Sequence, residues 1–199
     1  TIVLAFLAMS ERLVSWVLAV ALAAGGVGLS ARPLTEPTES PRADEYRVKA
    51  AFLFNFAKFV EWPAQAFSGQ SAPLTLCVLG VDPFGNLLDD TLKGRAVAGR
   101  AIAIRRIPEL ESGCHVLFIA SSERKRLAVL TDQLRNSSVL TVSEETGFTT
   151  LGGMIELFTA GESVQFNIAP TAVERSGLHA SARLIALAAN QRRPAGGHR

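Results

Sequence analysis

The sequence predicts an α/β fold: one domain with a mainly parallel sheet of about six strands, flanking helices and a C-terminal antiparallel hairpin. Three observations predict it. Short apolar runs at 74–79 (LTLCVL), 114–120 (CHVLFIA) and 139–142 (VLTV) have the length and continuity of strands covered on both faces. Segments with apolar residues three to four apart lie before and between them. Two further segments, 154–159 and 163–168, are joined across Ala160-Gly161-Glu162, and the second alternates through Val164, Phe166 and Ile168, as a hairpin strand does.

In chain order, residues 46–61 (YRVKAAFLFNFAKFVE) form the first helix. Val48, Phe52, Phe56 and Phe59 recur at helical spacing, and Pro63 ends the helix after Trp62. Core packing explains most of this apolar load. The arc is wide enough that Phe52, Phe56, Phe59 and Trp62 also form a candidate partner or dimer surface. Strand 74–79 then runs into Gly80-Val81-Asp82-Pro83-Phe84-Gly85 and the helix NLLDDTL, with Asp82 as its cap and Pro83 at its first position. Parallel strands that feed helix N-termini are where α/β proteins bind anions and small ligands. Asp82, Phe84 and Gly85, with Ser121 and Ser122 after strand 114–120, therefore form a candidate ligand turn, although most such turns bind nothing specific.

Gly94 and Gly99 flank a connection into strand 101–107. Ser121-Ser122-Glu123 caps a helix running to about Leu134, with Leu127, Leu130 and Leu134 on one side. Pro170 opens a terminal helical region, and 178–189 supplies Leu184, Ile185, Leu187 and Ala188 to the core. Arg175 and His179, four apart across Ser176-Gly177, form a candidate polar site.

Residues 13–31 are uncharged, follow Arg12 and end in the small residues Ser30-Ala31, the layout of a secretory signal. Residues 1–8 precede Met9 and read as an over-extended start. A run of this length also suffices to cross a bilayer of ~30 Å, so a retained anchor is the rival reading, weakened by Gly25, Gly26 and Gly28. Residues 32–45 are rich in proline and charge and read as a flexible leader, and 191–199 as a disordered tail. The folded domain is then 46–190. Exported chains with two cysteines usually join them, and Cys77 with Cys114 would close a loop worth about 4 kcal/mol in the chain-entropy picture; two buried thiols are the alternative.

No catalytic constellation emerges. The sequence has no G-x-S-x-G elbow, no P-loop and no H-E-x-x-H. Its three histidines, His115, His179 and His198, are scattered, and the pairs Asp89-Asp90 and Glu144-Glu145 read as solvated. Arg95, Arg100, Arg105 and Arg106 read as a solvated basic face. With 20 basic and 18 acidic residues, the net charge of +2 is too small for a nucleic-acid partner. No enzyme activity, cofactor or metal is expected.

Five stretches occur together and in order: KAAFLFNFAKFVEWP (49–63), CVLGVDPFG (77–85), CHVLFIASSE (114–123), LTVSEETGFTTLGGMIELF (140–158) and GLHASARLIALA (177–188). In these the chain resembles the YfiR family of exported bacterial regulators. The resemblance implies a non-catalytic periplasmic α/β domain that binds the periplasmic sensor region of an inner-membrane diguanylate cyclase and represses it. Relief of repression raises cyclic-di-GMP and promotes biofilm. It further implies titration by an outer-membrane lipoprotein, dimerisation and dependence on oxidised cysteines. Cys77 and Cys114 match the family pair in the first strand and at the start of the third. A second pair found in some members near 147–153 is missing here, so the remaining bridge reads as mainly structural. The same domain also occurs fused to sensor kinases and beside transporters and receptors, which keeps a sensor kinase as partner, and a small-ligand receptor as function, in view.

Overall fold

The computed structural model describes residues 41–191. The expected signal segment and the last eight residues of the expected tail lie outside them. Helix α1 spans Pro41–Phe59 and buries Tyr46, Lys49, Ala50, Leu53, Phe56 and Ala57, a stripe at three-to-four spacing. It begins inside the stretch expected to be a flexible leader, so residues 41–45 are helical; proline at the start costs no hydrogen bond because the first helical N–H groups have no partner anyway. Val48, placed by its spacing on the core stripe, is instead 44% exposed. The helix stops at Phe59 because β1 (Val60–Glu61) leaves it to pair antiparallel with β9 (His179–Ala180).

The main sheet has seven strands in the order β3-β4-β2-β5-β6-β7-β8. Its centre is parallel: β2 (Leu74–Leu79) lies between β4 (Arg100–Ile107) and β5 (Val116–Ile119), followed by β6 (Leu140–Ser143) and β7 (Ile155–Ala160). Antiparallel strands close both edges, β3 (Ala96–Val97) against β4 and β8 (Ser163–Ile168) against β7. The expected mainly parallel sheet and terminal hairpin are therefore present. The strands not anticipated, β1, β3 and β9, have two residues each, too few to show a period.

The strands alternate between two cores, as a pleated strand must. Leu74, Leu76 and Val78 of β2 join Val116 and Phe118 of β5 under α1. Cys77 and Leu79 join Leu117 and Ile119 on the other face, under α3 (Leu127–Gln133). A disulfide links Cys77 to Cys114 across a Cα–Cα distance of 5.8 Å within this second core. It ties the connection between β4 and β5 to the centre of the sheet.

Three helical expectations are corrected. Asp82 does not cap a helix: its Oδ1 accepts the Phe84 N–H at 2.7 Å, closing a local turn, and α2 (Asn86–Leu92) starts after Gly85, whose φ of +54° suits only glycine well. The helix expected from Ser121 to Leu134 begins as a 3₁₀ segment, Ser121–Arg126, in which Glu123 and Arg126 pair at the eclipsed three-residue spacing, and becomes α-helical at Leu127. The terminal helix is interrupted: α4 (Pro170–Arg175) and α5 (Ala182–Gln191) are separated by β9, so His179 lies in a strand.

Candidate functional site

The chain leaves β2 to form β4 on one side of it, and returns to form β5 on the other. The C-terminal ends of β2 and β5 therefore flank the point where strand order reverses, the usual ligand position in open α/β sheets. Here the structure brings the candidate ligand turn together. Val81 N–H donates to Ser122 Oγ at 3.0 Å. Gly80, at φ +90°, leaves room for that contact, since a Cβ there would lie 2.3 Å from Ser122 Oγ. Arg106 seals the turn, with Nε 2.6 Å from Asp82 and a guanidinium nitrogen 2.5 Å from Asp89. Hydrogen bonds to Asp89 and Asp82 hold its pKa above the ordinary arginine range. Phe84 does not face a ligand: it is 2% exposed and packs edge-on against Phe118 and Tyr46.

Beside this turn lies a polar cluster that sequence reasoning missed. Lys49 on α1 is 4% exposed, with Nζ 2.6 Å from Glu45 and 2.5 Å from Glu144 at the end of β6. Tyr46 O–H donates to Glu144 at 3.0 Å and Ser121 O–H to the same carboxylate at 3.1 Å. Burial pulls the Lys49 pKa down, but the bonds to Glu144 and Glu45 outweigh it and leave the pKa raised. The bond from Lys49 lowers the pKa of Glu45, and burial together with the Glu144 charge raises that of Tyr46. The neighbouring Glu145 is buried and held by Arg124; burial raises its pKa, but the Arg124 bond and charge together with a bond from Ser121 outweigh it and leave the pKa lowered. The polar groups at this edge are thus spent on one another, and they bolt α1 to the sheet. The available sequence signal was the position of Lys49, three residues after Tyr46 and four before Leu53 on the buried stripe.

The candidate partner surface divides differently from expectation. Phe56 is fully buried and cannot meet a partner; with Phe166 and Leu184 it floors a groove of about 290 Å³ between α1, α5 and β8. Phe52 and Phe59 are half-buried in its walls, and Leu187, 43% exposed, stands at its rim. Phe52 stacks on Phe56 at 5.7 Å and Phe166 lies 5.0 Å from Phe56, so the α1 and β8 sides of the slot are largely aromatic, while α5 contributes Arg183, Leu184 and Leu187 and α1 adds Asn55. Arg183 lies over the Phe59 ring, 5.5 Å from its centroid. Trp62 serves elsewhere: its Nε1–H donates to the His115 carbonyl at 3.2 Å.

That bond belongs to a latch around His115. The Thr75 N–H donates to Nδ1 at 3.0 Å, so Nε2 carries the proton and donates to the Ala66 carbonyl at 3.1 Å. Phe67 stacks on the imidazole at 4.3 Å, and Arg100 covers the far side of Phe67 at 3.8 Å. Burial lowers the His115 pKa, and the Arg100 charge adds to the effect. Arg175 closes α4 and His179 opposes Glu61 in the β1–β9 pair; both are exposed. Among the described residues no cluster of His, Cys, Asp and Glu could hold a metal ion, and no helix is long and apolar enough to cross a membrane.

A family model described as YfiR/HmsC-like matches residues 46–189, nearly three quarters of the chain and almost all of the fold described above. The chain belongs to the YfiR/HmsC-like family.

Proposed function

We propose that this YfiR/HmsC-like chain is an exported, non-enzymatic regulator. It acts in the periplasm, binds the periplasmic sensor region of an inner-membrane signalling protein, and represses it. The partner is a diguanylate cyclase, so repression lowers cyclic-di-GMP. The observation that carries this reading is the family match, because it runs from the second turn of α1 to the last turn of α5 and so applies to the whole domain rather than to one motif. The groove between α1 and α5 supports it, offering aromatic surface that the fold itself leaves uncovered. The Lys49–Glu144 pair supports it too, since it fastens α1, which carries one wall of the groove, to the end of β6.

The test is deletion of the gene with cyclic-di-GMP measured in the parent, the deletion and the complemented strain. A rise on deletion that complementation reverses is expected; an unchanged level refutes the reading. Pull-down from solubilised envelope then identifies the partner, a cyclase on this proposal and a sensor kinase on the nearest alternative. The meeting of the β2 and β5 turns at the strand-order reversal favours a second reading, a small-ligand receptor. Thermal-shift screening against nucleotides and amino acids judges it, since a ligand bound only by the folded state must raise the melting temperature.

A further inference from the structure

The rim of the α1–α5 groove is charged as well as apolar. Arg183 of α5 lines the groove, and Lys58 at the end of α1, outside that lining, shares the same ring; they lie 5.5 Å and 6.0 Å from the centroid of Phe59. Both are exposed. Neither is in an ion pair with a described residue, whereas Arg106 and Arg126 each hold two carboxylates. A ring face orients a cation without neutralising it, so both charges stay available. No carboxylate lines the groove, and α5 contains no acid. The sequence after α5 adds Arg192, Arg193 and Arg199 and again no acid.

An aromatic slot of about 290 Å³ is at the small end of ligand pockets, large enough for one or two anchoring side chains. Paired helices around such a slot commonly receive an amphipathic segment whose anchors recur at helical spacing. We infer that the groove receives an acidic amphipathic segment of the protein this chain regulates. A large apolar side chain sits between Phe52, Phe59 and Leu187, and flanking carboxylates are held by Arg183 and Lys58. The inference rests on the reading of the chain as an interaction protein and names the chemistry of its partner. A second copy docking through the same face would bring Arg183 and Lys58 against their own counterparts, and like charges across an interface oppose association.

The experiment uses the full chain with its disulfide intact and two fluorescent helical peptides of ~16 residues. Both carry the same Leu/Phe face; one has glutamate along its flanks and the other lysine. Fluorescence anisotropy is expected to show the glutamate peptide binding about tenfold or more tightly than the lysine peptide, with affinity falling as salt is raised. Arg183→Glu is expected to abolish or reverse that preference, and Leu187→Ala to weaken both peptides alike. Both positions are exposed, and unchanged melting curves will verify that the variants fold. Equal affinities, failure of both peptides to bind, or an unaltered preference in Arg183→Glu overturns the inference. So does a dimer that Arg183→Glu dissociates, or a preference for phosphatidylglycerol vesicles over the peptide. In cells, a strain expressing Arg183→Glu separates the two readings. Repression that survives the substitution removes the docking site and leaves the regulator standing. A deletion without effect on cyclic-di-GMP removes the regulator, while the peptide comparison still judges the groove.

Discussion

Replacing Lys49 by methionine keeps the length of the side chain and removes its charge. Lys49 is 4% exposed and lies between Glu45 and Glu144, whose side chains are 33% and 14% exposed. Removing one partner of a buried ion pair costs roughly 3–5 kcal/mol, because the remaining charge stays desolvated. Here Glu144 keeps the Tyr46 and Ser121 hydroxyls as donors and Glu45 can turn toward water, so the loss falls at the low end, about 3 kcal/mol. For a urea m-value of about 2 kcal/mol/M, that lowers the unfolding midpoint by roughly 1.5 M. Urea unfolding of the full, oxidised chain, followed by circular dichroism, measures the shift. The companion variants are Glu144→Gln and the double substitution. Glutamine still accepts from Tyr46 and Ser121 but leaves no buried charge, so Lys49→Met/Glu144→Gln should be more stable than the sum of the single effects by at least about 1 kcal/mol. A loss below about 1 kcal/mol in Lys49→Met, with additive singles, would mean that the pair behaves as a solvated surface contact. The claim that it fixes α1 to the sheet would then be wrong.

Three further outcomes are expected. Converting Cys77 and Cys114 to alanine opens a loop with a sequence separation of 37 residues and should cost about 4 kcal/mol in urea unfolding; a loss under about 1 kcal/mol would show that the bridge does not constrain the unfolded chain. Because folding lowers the His115 pKa, the unfolded chain takes up the proton first. The contribution of His115 is therefore complete above about pH 6.5 and is lost as pH falls below it, by at most about 1.4 kcal/mol per pH unit. Melting temperatures from pH 8 to pH 5 should show this slope in the parent and a reduced one in His115→Asn; identical slopes would remove His115 as its source. Finally, a Cβ on Gly153 would lie 2.3 Å from the fully buried Phe148 ring, so Gly153→Ala should cost about 1–3 kcal/mol by overpacking, and a neutral result would show that Phe148 has space to move.

The parts legible in the sequence are those in which neighbouring residues carry the whole signal. LTLCVL is apolar without interruption, and both of its faces are indeed covered. SVQFNI alternates, and its Phe166 and Ile168 face the core. The chemistry of Cys77 and Cys114 limited their fates to a bridge or two thiols before any distance was known. Helix ends were less legible because tertiary partners compete for the same backbone. Val60 and Glu61 left α1 to pair with β9, and Asp82 closed its own turn and bound Arg106 rather than capping α2.

What only the tertiary structure decided depends on residues far apart in the chain. The sequence itself determined the α/β class, the hairpin and the choice of a bridge or two thiols for Cys77 and Cys114, since each follows from local periodicity or from cysteine chemistry. It did not determine that Lys49 is inside, because a lysine becomes buried only where a carboxylate arrives to meet it, and Glu144 lies 95 positions away. Nor did it place Phe56 on the floor of a groove and Phe59 at its wall. Both lie on one helix, and their exposure was settled by α5 and β8 packing against it. Burial and charge pairing are properties of the assembled neighbourhood, with free energies that exist only once distant segments have closed on one another.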